Sequence, residues 1–505
     1  MKELLFRNVT LYDGSGNVPF PADVGIKGDK IIAVEKAGTL ASGSGEVIEG
    51  NGLALTPGFV DVHTHSDNSI FSVPFCDSFL TQGVTTDISG NCGFSGYLSS
   101  PEPMTFTEFV QKIEALQPAI NMAHLCGHND LRIQAMGFED RPPTQEELNT
   151  MKTLLSEALE QGAAGFSSGL FYLPGKFAST EEVKELSSLL KGSGKPYSTH
   201  LRCEGEFLLE SVEEAIEIAK AGDHNLQISH LKTSGPAYWD KMDSVLKKIE
   251  EACCSGMDLL CDRYAYIHSG TTLRVVLPEP FDKVDTHTLC THLKESESYR
   301  KELIRVLQEK GAKRDLERAL LMYSPKAEHR PYFGKSVMQI ACERSLSKEE
   351  ALVWILASGI SPNTAFGTMC EENLHKVLSK PYVITGSDGF VCSLDNPGTH
   401  PRSFGNFPNF YRTAVQYVSP EQVIRRMTSL PARKFNLAGR GMVKEGFYAD
   451  LILLDLEKFE NKGSYAKPNT VTTGIKKVFV NGNLALYEGE ILRTTPRSGR
   501  FLRVF

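Results

Sequence analysis

The sequence contains no apolar run of the roughly 18 residues that a membrane-spanning helix needs. Its opening segment, MKELLFRNVTLYDG, also lacks the apolar core of a secretion signal. Lys and Arg are nowhere concentrated on the scale that binding to a phosphate backbone requires, and the net charge is -8. We therefore expect a cytoplasmic protein that binds neither membrane nor nucleic acid and acts on a small molecule.

A disulfide framework is also missing. The 11 cysteines are an odd number and are scattered without regular spacing along 505 residues, which favours reduced and mostly buried thiols. Hydrophobic residues make up 41% and charged residues 23% of the chain, as in ordinary globular proteins. The length exceeds the roughly 250 residues of a simple enzyme barrel, so we expect such a barrel with additions.

Short alternating segments separated by glycine turns occupy both ends of the chain. Near the start these are LLFRNVTLYDGSG, ADVGIKGDKIIAVEK and GEVIEGNGLALTPG, and near the end GFYADLILLDLEKF and IKKVFVNGNLALYEGEIL. Apolar residues at every second position are typical of half-buried strands. The pattern predicts one small β-sandwich domain formed by both termini, residues 1–56 and 437–505.

Between these ends, short apolar strands alternate with amphipathic helices such as residues 146–160 and 209–221, which have apolar residues at i, i+3 and i+4. This alternation is typical of βα units around a parallel sheet. Eight units predict an α/β protein with a (β/α)8 TIM-like barrel over residues 57–436. The eight strands are predicted to end near His63, Ser89, Gly127, Ser168, His200, His230, Tyr264 and Asp388.

The interval between strands seven and eight is too long for one helix, because more than a hundred residues separate Tyr264 from Asp388. Residues 294–311 and 348–357 read as helices. We predict an inserted helical subdomain at about 281–347, with 360 as its outer limit. In a barrel such an insertion leaves from the C-terminal face, over the active site. We expect it to form part of a lid.

Histidines lie at the ends of three predicted strands. His63 and His65 stand two residues apart in PGFVDVHTHSD, so a strand points both imidazoles to one side, as a shared metal ion requires. His200 in KPYSTHLRCEGE and His230 in NLQISHLKTSG each follow an apolar strand. A single histidine is more often structural, but four at matching strand ends favour a metal site at the mouth of the barrel.

Two further candidates stay open from the residues alone. Asp388 in YVITGSDG follows the last strand. Its carboxylate has two possible functions, as a metal ligand or as the acceptor of a proton from water, and the alternative is that the residue only forms a turn. Cys92 in GVTTDISGNCGFS lies in a glycine-flanked loop after the second strand. It is either an inert buried thiol or a zinc ligand.

The order H-x-H, His, His, Asp, with flanking β segments and a closing LAGRGMVKEGFYADLILLD, resembles the amidohydrolase superfamily. Within it, GVTTDISGNCGFS, SSGLFYLPGKFASTEE, STHLRCEGE, ISHLK and HPRSFGNFP resemble the D-aminoacylases, which are N-acyl-D-amino-acid deacylases. The resemblance covers nearly the whole chain. It implies one tightly bound Zn²⁺ on Cys92, His200 and His230. It also implies a neighbouring position for a second, weakly held ion, framed by His63, His65 and Asp388. The resemblance further implies that the substrate carboxylate is bound by Lys232, Tyr264 and Arg402.

The expected reaction is hydrolysis of the amide bond of an N-acyl-D-amino acid, with Asp388 moving the proton from water to the leaving amine. Two alternatives stay open: another amidohydrolase reaction, such as cleavage of a D-residue dipeptide or a cyclic amide, and a metal-free scaffold. Lys232 and Arg402 could also form internal ion pairs. The chain departs from the D-aminoacylase pattern at Tyr264-Ala-Tyr-Ile-His-Ser-Gly, which places His268 in a pocket segment, and in a longer spacing from Asp388 to Arg402.

Overall fold

Parallel strands and helices alternate through most of the chain, which makes it an α/β protein, as predicted. The structure is a computed structural model and describes residues 3–41, 45–99, 102–284, 286–324, 326–358, 363–395 and 398–505. Most helices pack their apolar faces against the parallel strands in one large buried cluster. Burial of this apolar surface is the main favourable contribution to folding.

The parallel strands form two sheets that meet end to end. A three-stranded sheet contains Phe59–Asp61, Val84–Ser89 and Asn121–His124. A six-stranded sheet continues with Cys126–Gly127, Phe166–Gly169, Tyr197–His200, Asn225–Ile228, Asp258–Arg263 and Val383–Thr385. Only Leu125 separates the two sheets, and its backbone N–H donates to the carbonyl oxygen of Ser89 at 3.0 Å.

The outer edges of these two sheets also touch. The backbone N–H of Asp388 donates to the carbonyl of His63 at 2.7 Å, and that of His65 donates to the carbonyl of Gly389 at 2.8 Å. Thr64 and Gly389 form a parallel bridge. The segments that follow the first and the last parallel strand therefore lie side by side, and their side chains share one region.

Two helices between the parallel strands lie close to their predicted positions, and a local sequence signal explains where the first of them begins. Residues 146–160 were predicted as a helix, and the helix is Gln145–Glu160, started by a capping box between Thr144 and Glu147. The prediction of 209–221 corresponds to Leu208–Ala221. The other helices outside the insertion are Ser66–Ser69, Asp77–Leu80, Phe106–Leu116, His128–Met136, Thr180–Ser187, Met242–Cys254, Glu371–Leu378, Arg402–Ala414, Pro420–Met427 and Ser429–Lys434.

Both ends of the chain contribute to one nine-stranded sheet, with its own apolar cluster. Ala54–Pro57 from the N-terminal part pairs antiparallel with Leu451–Leu454 from the C-terminal part, which joins the two ends directly. The remaining strands are Glu3–Leu11, Phe20–Lys27, Lys30–Lys36, Glu46–Glu49, Ile475–Val480, Asn483–Tyr487 and Glu490–Ile491. The predicted domain boundaries stay predictions.

The long interval before the last parallel strand contains both helices and a sheet. Its helices are Thr286–Glu295, Glu297–Lys310, Val337–Arg344 and Lys348–Leu356. The predicted helix 294–311 is in fact two, because the Ser296 side chain accepts from the N–H of Tyr299 and starts a new one. A three-stranded antiparallel sheet was not predicted; it pairs Ser269–Thr272 and Ala319–Tyr323 with Asn363–Phe366. These elements share a separate apolar core that extends from Leu273 to Phe366.

Two simple expectations can be compared with the structure. All 11 cysteines are free thiols, as expected. In the described ranges, no helix is both long and apolar enough to cross a membrane. The cytoplasmic location stays a prediction.

Candidate metal centre

One thiol and three imidazoles meet where the parallel strands end. Cys92 Sγ lies 3.3 Å from His63 Nε2, 3.7 Å from His200 Nδ1 and 3.9 Å from His230 Nε2. Zinc bonds of about 2.0–2.3 Å in a tetrahedron place neighbouring ligand atoms about 3.3–3.8 Å apart. The distances from Cys92 Sγ are close to this range, so each of the three imidazoles can share a zinc ion with the thiol without rearrangement of the backbone.

The donors divide into two overlapping groups that share Cys92. One group is Cys92, His200 and His230, and the other is Cys92, His63 and His65; within each group the ligand atoms lie within 4.8 Å of one another. Asp388 Oδ1 is 3.1 Å from His65 Nε2 and 3.6 Å from His63 Nε2, so its carboxylate borders the second group. The arrangement provides donors for two adjacent ions with one thiolate between them.

Buried carboxylates hold the outer nitrogens of these imidazoles. His63 turns Nδ1 towards Asp262, at 3.2 Å, and Nε2 towards Cys92. His230 turns Nδ1 towards Glu204, at 3.1 Å, and Nε2 towards Cys92. An ionised carboxylate can only accept, so Asp262 keeps the His63 proton on Nδ1 and leaves the Nε2 lone pair free for a metal. His230 Nδ1 also has Lys232 Nζ at 2.7 Å, so Glu204 shares this nitrogen with an ammonium donor.

Charges in the cluster reinforce this arrangement. Burial raises the pKa of the Cys92 thiol, but His63, His200 and His230 together lower it by a larger amount. The net pKa lies well below its usual value. Burial likewise raises the pKa of Glu204, while Lys232, His200 and His230 together lower it to well below its usual value, which leaves this carboxyl group ionised. A thiolate is the form of cysteine that binds metal. The surroundings of Cys92 therefore favour the thiolate, the form that a metal ligand requires.

Three of the converging residues have left-handed backbone conformations. The φ angles are 55° at Cys92, 36° at His230 and 51° at Asp388, a region that L-residues other than glycine rarely adopt. Space for the Cys92 turn comes from Gly169, where an added Cβ would lie 2.0 Å from the Cys92 carbonyl oxygen. Strained conformations of this kind persist where the surrounding structure enforces them, and they cluster at functional sites.

The residues expected to grip a substrate carboxylate also lie here, but two of them have internal partners. Arg402 Nη1 is 2.8 Å from Asp388 Oδ2, and Lys232 forms an ion pair with Glu204. Tyr264 is fully buried, and its hydroxyl has no hydrogen-bond partner within the described residues. The Arg402 guanidinium carbon lies 4.7 Å from the centroid of the Tyr264 ring.

A cavity of about 380 Å³ opens directly beside the cluster. Its wall on the parallel-strand side includes His200, His230 and Asp388. Its opposite wall comes from the insertion and includes Thr271, Arg314 and Phe366. Residues of the insertion therefore line part of the cavity. His268 is not among the cavity residues, since its ring packs 4.6 Å from that of Tyr465.

Glu204 and Asp262 were not identified from the sequence, although signals for both were present. Glu204 stands four residues after His200 within the segment STHLRCEGE. Asp262 precedes Tyr264 by two residues, and alternation in a strand points both side chains to the same face. Their roles depend on contacts with His230 and His63, which are distant in sequence.

Comparisons of sequence and of structure show which known proteins this chain resembles. The sequence profile of the Amidohydrolase family matches residues 54–485. An N-acyl-D-aspartate deacylase of Alcaligenes xylosoxydans xylosoxydans is 30% identical over 97% of this chain and 92% of its own. A D-aminoacylase of the same organism is 30% identical over 95% of this chain and 93% of its own.

A solved structure extends the likeness to three dimensions. The N-acyl-D-glutamate deacylase from Bordetella bronchiseptica, in complex with zinc and a phosphonate mimic of the tetrahedral intermediate, matches with a TM-score of 0.82. It is 25% identical, and the match covers 100% of both chains. The chain therefore belongs to the amidohydrolase family and, within it, to the D-aminoacylases, the family of N-acyl-D-amino-acid deacylases. The resemblance found in the sequence is confirmed.

Proposed function

We propose that this protein hydrolyses the amide bond of N-acyl-D-amino acids with the help of zinc, producing a carboxylate and a free D-amino acid. The observation that carries the proposal is the meeting of Cys92, His200 and His230 beside a cavity of about 380 Å³. The two relatives described above are an N-acyl-D-aspartate deacylase and a D-aminoacylase, and the matches cover 92% and 93% of their length. Amide hydrolysis needs both an activated water and a polarised carbonyl, and a metal site beside a cavity can provide them.

Zinc would be held by Cys92, His200 and His230, with His63, His65 and Asp388 bordering a second position. When bound, zinc lowers the pKa of water and polarises a carbonyl oxygen. The donor set fits this metal, because thiolate sulfur and imidazole nitrogen are its preferred ligands. One ion would be bound tightly, and a second would bind weakly at the neighbouring position.

Asp388 is the proton carrier of the proposed reaction. Its carboxylate faces His65 on one side and Arg402 on the other, at 3.1 and 2.8 Å, and stands at the cavity wall. Burial raises its pKa, while Arg402 and His65 lower it, so that the net pKa lies well below the usual value and the group is ionised. In this role Asp388 accepts a proton from the attacking water and delivers it to the leaving amine nitrogen.

Lys232, Tyr264 and Arg402 would hold the α-carboxylate of the substrate. Tyr264 offers a buried hydroxyl without a partner in the described part of the chain, and a bound carboxylate would accept its hydrogen bond. Arg402 and Lys232 would offer a guanidinium and an ammonium to the same carboxylate, in addition to their internal partners. A carboxylate between a planar guanidinium and an ammonium would be bound strongly, because hydrogen bonds between charged groups are about twice as strong as neutral ones.

The finer fold is also a proposal: a closed (β/α)8 barrel with a β-sandwich domain formed by both termini and an insertion that acts as a lid. The sheets support closure, because they meet at Leu125 on one side and through Thr64 and Gly389 on the other. Eight strand positions follow around this circuit, with Asn121–His124 and Cys126–Gly127 together as the third. Active sites of such barrels lie at the C-terminal ends of the strands.

The test is hydrolysis of matched N-acetyl-D- and N-acetyl-L-amino acids with and without added zinc, combined with the Asp388→Asn variant. We expect turnover of D-substrates that depends on zinc. The variant should still fold and contain zinc, and its kcat should fall at least about 100-fold, as for loss of a general base. Zinc-independent turnover, or a variant within about tenfold of the parent, would contradict the mechanism.

A further inference from the structure

The cavity beside the metal centre is lined by four basic side chains, and three of them have a carboxylate partner. Lys232 pairs with Glu204. The other two pairs come from the insertion: Lys313 Nζ lies 2.5 Å from Asp282 Oδ2, and Arg318 Nε lies 3.6 Å from Asp315 Oδ2.

Arg314 is the fourth basic residue and differs from the others. Its guanidinium carbon lies 5.0 Å from the centroid of the Phe366 ring, and the side chain is mostly withdrawn from solvent. In the ranges that the structure describes, it forms no ion pair with a carboxylate. Removing a guanidinium from water is unfavourable unless an anion compensates for the lost hydration. Arg314 thus presents an unneutralised positive charge to the cavity.

The loop that carries Arg314 is fixed on both sides. The backbone N–H of Lys313 donates to the carbonyl of Val276 at 2.8 Å. One residue after Arg314, the side chain of Asp315 accepts from the N–H of Glu317 at 2.9 Å and starts a short 3-10 helix. A guanidinium presented from an ordered loop loses little conformational freedom when it binds an anion.

Arg314 faces the metal centre across the cavity. It lines this cavity together with Glu204, Tyr172 and Tyr264, and the ring of Tyr172 lies 4.7 Å from that of His200. A substrate with its amide at the metal centre and its α-carboxylate at Arg402 would direct another part of itself towards Arg314. That part meets a planar cation beside the aromatic ring of Phe366.

We propose that Arg314 binds a second carboxylate of the substrate, so that the protein prefers dicarboxylate substrates such as N-acyl derivatives of D-aspartate and D-glutamate. This inference rests on the proposed deacylase function. The second carboxylate can belong to the amino-acid side chain or to a dicarboxylic acyl group, since both present the same chemistry to Arg314. In either case the insertion determines substrate choice, while the strand ends carry the reaction.

The test compares kcat/KM of the parent, Arg314→Gln and Arg318→Gln on N-acetyl-D-glutamate, N-acetyl-D-glutamine and N-succinyl-D-leucine. N-acetyl-D-glutamine has the same shape as the glutamate substrate without the second charge. We expect Arg314→Gln to lose about 10- to 100-fold on a dicarboxylate, the range of a hydrogen bond to a charged group. Its activity on N-acetyl-D-glutamine should stay within about threefold.

The outcomes separate the possible sources of the charge. A loss confined to N-acetyl-D-glutamate assigns the second carboxylate to the side chain, and a loss confined to N-succinyl-D-leucine assigns it to the acyl group. Arg318→Gln removes the same charge from the same cavity wall, but from a residue already paired with Asp315, and should leave the ratio between substrates unchanged. Equal losses on all three substrates, or the same pattern in Arg318→Gln, would overturn the assignment.

Measurements of ligand binding distinguish a failure of this inference from a failure of the proposed function. If none of these compounds is hydrolysed, the deacylase proposal is wrong, and calorimetric titration of the parent and Arg314→Gln with N-acetyl-D-glutamate still tests the anion site. Tighter binding of N-acetyl-D-glutamate than of N-acetyl-D-glutamine, lost in the variant, supports it. Equal affinities of the parent for the two compounds would end it.

Discussion

Replacing Glu204 by Gln tests whether this carboxylate positions the metal ligands. Its Oε1 lies 3.1 Å from His230 Nδ1 and 4.0 Å from His200 Nε2, and it pairs with Lys232. Outer carboxylates of this kind contribute about 10- to 100-fold to metal affinity, or about 1.4–2.7 kcal/mol. Because one group serves two ligands and a lysine, we expect zinc affinity to fall about 30- to 100-fold, in the upper part of this range.

The assay is competition for zinc between the purified protein and a chromophoric chelator at neutral pH. The matched control is Glu214→Gln. Like Glu204, Glu214 pairs with a basic side chain, that of Arg202 at 2.8 Å, but it contacts none of the proposed ligands. Control and parent should bind zinc equally. If Glu204→Gln stays within about threefold of the parent, or if both variants lose affinity alike, Glu204 does not position the ligands.

Three other predictions follow from single contacts. Gly169→Ala should lower the unfolding free energy by about 1–3 kcal/mol through the clash with the Cys92 carbonyl, and it should reduce zinc content; denaturation and elemental analysis measure both. Tyr264→Phe should raise KM about 2- to 10-fold for N-acetyl-D-amino acids only, since the hydroxyl is expected to bind their carboxylate; an equal rise on carboxylate-free amides contradicts this. Burial lowers the pKa of Lys195 to about 8, so the unfolded chain holds more protons above that pH. Thermal melts should therefore show the parent gaining stability over Lys195→Met between about pH 8 and 10.

The fold was predictable where the signal is local. The helix at 145–160 could be located from its apolar spacing and from Thr144 and Glu147, which form its capping box. The three-stranded sheet of the insertion was not predictable, because it pairs Ser269–Thr272 with Asn363–Phe366 across about 90 intervening residues. The break at Ser296 was missed because the apolar spacing continues through it, while a cap of one hydrogen bond begins the new helix.

The candidate site divides in the same way. His63 and His65 could be recognised from their spacing, since a strand places both on one face. Cys92 could not be decided, because its role depends on three histidines brought from other strands. Arg314 carried no signal at all. Its importance comes from the lack of a carboxylate partner in the described ranges, and this is a property of the folded insertion and not of any neighbouring residue.

Local preference and final structure disagree most at the metal centre itself. Cys92, His230 and Asp388 all adopt backbone conformations that their side chains disfavour, at an order of 1–3 kcal/mol each. None of the three is a glycine, which would have removed the strain, because glycine has no side chain to offer a metal. Each of these residues follows a buried parallel strand that fixes the backbone before it, and the proposed ligand function would require these side chains. Non-glycine residues with a positive φ are therefore useful indicators of a functional site, since packing alone gives no reason to keep a disfavoured backbone conformation.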